Sequence, residues 1–132
     1  MQRRIVNPTR WADGFRFVQA NEISGATKML VCSGQVDVDP EGNPLHPDDM
    51  RAQAAGAWDN LEALLSEAGY SLGDVVHLTY YATDVPAYIE AHYEIGVPRL
   101  EAVGCWPTCT LLGITRLGFS TTMIEIEALA LK

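Results

Sequence analysis

The sequence predicts an α+β protein: a mixed sheet with two helices packed on one face. Three observations predict it. Stretches of strand character and stretches of helical spacing follow one another as strands, a long helix, a strand, a shorter helix and two strands. The last stretch, Thr121 to Leu131, is largely apolar on both faces. Ile124, Ile126, Ala128 and Ala130 share one side, and Met123, Glu125, Glu127, Leu129 and Leu131 share the other. Two helices cover one face of such a sheet, and no helix remains for the second. The open apolar face therefore predicts self-association.

The elements follow in order. Arg4 to Val6 reads as a short strand, and Phe15, Phe17 and Val18 alternate weakly, as an edge strand does. Lys28 to Cys32 is a better strand, ended by Ser33-Gly34-Gln35. The run DVDPEGNPLHPDD is turn chemistry, dense in Asp, Pro, Gly and Asn. Pro47-Asp48-Asp49 opens a long helix, with acids on the positive end of its dipole. Met50, Ala54, Ala57, Trp58, Leu61, Leu64, Leu65 and Ala68 recur along it at helical spacing, and Gly69 stops it. Asp74 to Asp84 is rich in β-branched and aromatic residues and reads as a strand. Pro86 to Gly96 reads as the shorter helix. Thr108 to Arg116 and Thr121 to Leu131 close the chain as strands, with Gly118 in the turn between them.

Composition excludes several function classes. The 132 residues suit one domain, residues 1–132, with a modest core. The net charge of −8 repels a phosphate backbone and argues against nucleic-acid binding. No apolar run is long enough for a bilayer, and the first ten residues lack a signal peptide's apolar region, so no membrane partner is expected. Three cysteines without a CxxC pair argue against a disulfide framework and for a cytoplasmic location. His46, His77 and His92 fall in a loop, a strand and a helix without metal-ligand spacing, and no Gly-rich phosphate loop is present. No metal and no cofactor are expected.

Three stretches, taken in order, resemble one family. LVCSGQVDVDPEGN is similar to a strand and loop carrying "SGQ". GAWDNLEALLSEAGYSLGDVVHLTYYATDV resembles that family's "NL…L…AG…DVV" segment, and MIEIEALAL its "IEIEA" ending. The family is the Rid family (YjgF, reactive-intermediate deaminases, also called L-PSP endoribonucleases), and the likeness runs from about Phe17 to the C-terminus. It implies a chorismate-mutase-like fold. It also implies a homotrimer whose sheets form a central barrel, with a small-molecule cleft at each subunit interface.

The resemblance also implies site residues. Ser33 and Gly34 stand in the SGQ motif, and Glu125 stands where the family's glutamate holds the attacking water. Phe17 occupies the position of a tyrosine, and Glu90 that of an asparagine on the second helix. Cys109, in Pro107-Thr108-Cys109-Thr110, replaces the arginine of P-A-R-S that grips a substrate carboxylate. A thiol cannot replace a bidentate guanidinium, and Arg116 has the opposite parity on its strand. Glu90 beside the cleft would repel a carboxylate further, and beside Glu125 it would raise one of the two pKa values. The expected substrate is therefore not a simple imino acid.

Two readings of Cys109 stand. It is a small core residue, as buried cysteines often are, or it faces the intersubunit cleft near Glu125, as pocket wall or nucleophile with Glu125 as its base. Two functions stand with them: a deaminase-like hydrolase whose water is placed by Glu125, and a non-catalytic binding trimer that kept the cleft. An endoribonuclease is disfavoured by the acidic charge.

Overall fold

The computed structural model describes all 132 residues. Its strands are β1 (Gln2–Val6), β2 (Ala20–Ser24), β3 (Met29–Gln35), β4 (Val75–Ala82), β5 (Thr108–Gly113) and β6 (Ile124–Leu131). Its helices are α1 (Met50–Glu67) and α2 (Val85–Ala102). β3, β6, β4 and β5 form a mixed sheet in that spatial order, with β4 and β5 parallel and the other pairs antiparallel. This is the expected architecture of two helices on one face of a mixed sheet.

Local chemistry starts and stops the helices. Asp49 caps α1 by accepting from the Ala52 N–H at 3.0 Å, and Asp84 caps α2 from the Ala87 N–H at 3.0 Å. Gly69 ends α1 in the left-handed region at φ 77°, as its position predicts. Along α1, Ala54, Ala57, Trp58, Leu61 and Leu65 are fully buried. They meet Leu78, Tyr80 and Ala82 of β4 and Ile124, Ile126, Ala128 and Ala130 of β6 in one core. Burying each large side chain contributes about 1.5–3 kcal/mol. The opposite face of the sheet carries no helix. Met29 and Val31 stand 64% and 73% exposed there, beside Leu129 and Leu131 of the next strand.

Three expectations are corrected. The second helix is not the shorter one: α2 runs 18 residues, as α1 does, and passes through Pro98. Pro98 costs one backbone bond and breaks nothing further, because Val97 and Leu100 on either side of it are held in the interior. The weak alternation over Phe15, Phe17 and Val18 is not a strand. Asp13–Phe15 is a 3-10 turn, and the partner of β1 is β2, which was not foreseen. β2 is held by Asn21, whose amide donates to the carbonyls of Val76 and Trp106. The last two strands are also shorter than expected, at Thr108–Gly113 and Ile124–Leu131.

Candidate functional site

The first group of site residues lies on the open face. β3 pairs Cys32 with Ala128 and Gln35 with Ile126, so Ser33 and Gly34 together oppose Glu127 alone. That is a β-bulge, a local kink that re-aims side chains. The Glu125 side chain lies against it. A Cβ added at Gly34 would come 2.5 Å from Glu125 Cδ and 2.9 Å from its Oε1. Glycine in the SGQ motif thus leaves the space the carboxyl group fills. Burial, and then the charge of Glu127, raises the Glu125 pKa above the usual carboxylate value. Glu127 in turn accepts a hydrogen bond from the Tyr81 hydroxyl, which faces Glu125 in register on β4. Beyond them His77 is held on both ring nitrogens, 2.7 Å from Thr108 Oγ1 and 3.2 Å from Thr79 Oγ1. Ser33 is exposed beside this group.

The second group lies at the edge strand β5, on the other face. Cys109 pairs with Leu78, which pairs with Ala128, and all three belong to the helix-covered side. Burial pushes the Cys109 thiol up to about 12, so it is neutral at any working pH. Phe17 reaches the same edge, because the Val18 N–H donates to the Pro107 carbonyl at 2.9 Å. The Phe17 ring meets Trp11 edge-on at 5.5 Å and Phe15 at 6.0 Å.

Two expected juxtapositions are therefore absent from the single chain. Glu125 pairs with Tyr81 on the open face, whereas Cys109 points to the helix side two strands away. The two share no cavity, and Glu125 cannot serve as base to the thiol of its own chain. Glu90 belongs to neither group. It is exposed on the outer face of α2, in a groove with Arg51 and Glu94, which pair at 3.1 Å. Within one chain Glu90 and Glu125 do not meet, so the expected repulsion does not arise there.

Two supporting residues went unforeseen. Gln53, fully buried on α1, donates to the carbonyls of His46 and Thr121 and accepts from the Met123 N–H, so it fixes the approach to β6 just before Glu125. His92, fully buried on α2, stacks on Phe15 at 4.1 Å, and its Nε2 lies 2.9 Å from the Phe15 carbonyl oxygen. Burial lowers its pKa to about 4, so it is a neutral donor to that carbonyl. Its spacing from Tyr88 and Gly96, four residues to each side, was the available signal. No three His, Cys, Asp or Glu side chains group as metal ligands, and all three cysteines are free.

Comparison with known proteins decides the family. A family model described as endoribonuclease L-PSP matches residues 12–132. This chain belongs to the Rid (YjgF) family. The 2-iminobutanoate/2-iminopropanoate deaminase of Escherichia coli is 33% identical to this Rid chain over 106 residues, covering 79% of it and 80% of the relative. A Rid-family protein of unknown function from Yersinia pestis, YyfB, superposes with a TM-score of 0.86 at 29% identity over the full length of both chains. E. coli TdcF, solved with bound serine, superposes with a TM-score of 0.69 at 29% identity, over 88% and 87% of the two chains. One of these relatives is thus an imino-acid deaminase by name, and another was solved with a small ligand bound. No helix of this chain is long and apolar enough to cross a membrane.

Proposed function

We propose that this Rid chain is a deaminase-like hydrolase of small imines. Its cleft is completed by a second copy of the chain within a homotrimer. One observation carries the reading: a carboxyl group with a raised pKa is seated on a glycine bulge, on a sheet face that no helix covers. Val31 and Met29, further along the same face, present apolar surface of the kind a partner covers. A cyclic partner that packs on this face can bring its β5 edge, with Phe17 and Cys109, toward Glu125.

The chemistry follows from the carboxyl group. Water bound to the ionised Glu125 gives it a proton as the oxygen adds to the imine carbon. The protonated carboxyl then returns that proton to the nitrogen of the carbinolamine; ionised again, it accepts the hydroxyl proton as the C–N bond breaks, so that the amine departs and the carbonyl product remains. A raised pKa suits these transfers better than an ordinary carboxylate's. Cys109, held as a neutral thiol against the helix-side packing of the β5 edge, is no nucleophile. It offers no fork for a carboxylate, which turns the substrate away from simple imino acids. That same loss favours the second reading, a binding trimer without turnover.

The test is Glu125→Gln. The enzyme reading expects kcat to fall about 10²–10⁴-fold, while light scattering still reports the mass of three chains. Unchanged imine hydrolysis would remove Glu125 from the chemistry, and a stable monomer would remove the shared cleft.

A further inference from the structure

We propose that the cleft is built for an aromatic cation, an aryl-bearing imine bound as its iminium and carrying no carboxylate. The inference rests on the shared cleft proposed above and names its substrate class.

A strip of aromatic rings runs from the β5 edge onto α2. Trp11 is 76% exposed, yet its ring is fixed edge-on against Phe17 at 5.5 Å. Phe17 continues into Phe15 at 6.0 Å, and Phe15 into Tyr93 at 5.8 Å, itself 49% exposed. The strip is anchored from beneath. His92 stacks under Phe15 and holds its carbonyl, and Gly96 makes the room, since a Cβ there would stand 2.4 Å from His92 Nδ1. Rings so presented offer their faces to flat apolar groups and to cations, a contact of about 0.5–2 kcal/mol.

The charges point the same way. Arg16 is committed, its guanidinium 3.7 Å over the Trp106 ring and its Nε donating to the Cys105 carbonyl. Arg10 pairs with Asp13 at 2.7 Å. The neutral thiol of Cys109 adds no cation. The facing group supplies Glu125 and Glu127, and the chain as a whole carries −8. An aromatic wall on one side and carboxylates on the other complement a ring with positive charge on its exocyclic nitrogen. They repel a carboxylate.

The experiment titrates the assembled protein with benzamidinium, benzoate, butylammonium and 2-oxobutanoate by calorimetry. Benzamidinium is expected to bind at least about tenfold tighter than each of the others. Trp11→Ala is expected to weaken it about 3- to 30-fold without moving the circular-dichroism spectrum. Phe17→Leu, which keeps the bulk, gives a second reading should Trp11→Ala misfold. Benzoate or 2-oxobutanoate binding as well as benzamidinium, benzamidinium failing to bind, or affinity indifferent to both variants would each overturn the proposal. The shared-cleft reading fails separately: a monomer in light scattering refutes it whatever binds, and an intact trimer preferring benzoate refutes only the substrate class.

Discussion

The two faces of the four-stranded sheet are built to different rules. The helix side is closed by apolar packing, with Trp58, Leu61, Leu78 and Ile126 wholly buried. The open side alternates exposed Met29 and Val31 with a hydrogen-bonded polar row, Thr108 to His77 to Thr79 and Tyr81 to Glu127. Stability comes chiefly from the first face, and the proposed chemistry from the second. Cys109 and Phe17, both predicted as site residues, sit on the closed side at its β5 edge.

This contrast breaks most visibly in the core. Trp58→Ala empties the closed face and should cost about 3–5 kcal/mol in urea unfolding; a cost under about 1 kcal/mol would mean that the helices do not carry the stability.

Titration sharpens it next, because the two faces respond to pH with opposite sign. The His92 pKa falls from 6.5 unfolded to about 4 folded. The unfolded chain therefore binds the extra proton between those values. Stability is intact above pH 6.5 and falls as pH drops toward 4, by about 3 kcal/mol in full. His92→Gln should flatten that limb. The Glu125 pKa is raised, so its contribution runs the other way: it is present in acid and is lost as pH rises through the folded value. Glu125→Gln should remove that small decline and leave the His92 limb in place.

Much of this was legible in the residues themselves. α1 announces its start by Asp49, its face by spacing and its stop by Gly69, all within one stretch of chain. β6 shows its two faces by alternation alone. What was not legible depends on register between distant strands. Cys109 and Glu125 were each placed on the right strand, but whether they share a face is set by Leu78 opposite Cys109 and Tyr81 opposite Glu125. α2 looked short because Gly96 read as its end, while the reason for that glycine, His92 packed against it, lies in the tertiary structure. β2 escaped notice because the carbonyls that Asn21 holds, those of Val76 and Trp106, are far along the chain. Glu90 was taken from a helix that offers no register against the sheet.

Smaller effects test the site itself. Gly34→Ala places a methyl where Glu125 lies and should cost about 1–3 kcal/mol by overpacking, with turnover falling as it does in Glu125→Gln. Pairing it with Glu125→Ala should recover the stability and not the turnover. Cys109, with its thiol near 12, should be thiolate to about one part in ten thousand at pH 8. Iodoacetamide should then label it only after unfolding, and Cys109→Ser should change kcat less than about threefold; a loss of several powers of ten would return it to the chemistry.

The central claim is that Glu125 of one chain works with Phe17 of another, and mixed trimers test it most directly. Glu125→Gln and Phe17→Lys each disable one half of every cleft. Denatured together in equal amounts and refolded, they assemble at random, and roughly a quarter of the clefts receive an intact half from each chain. The account predicts imine hydrolysis recovering to roughly that fraction of the wild-type rate. No recovery in trimers of confirmed mixed composition would place both residues of a site on the same chain and contradict it.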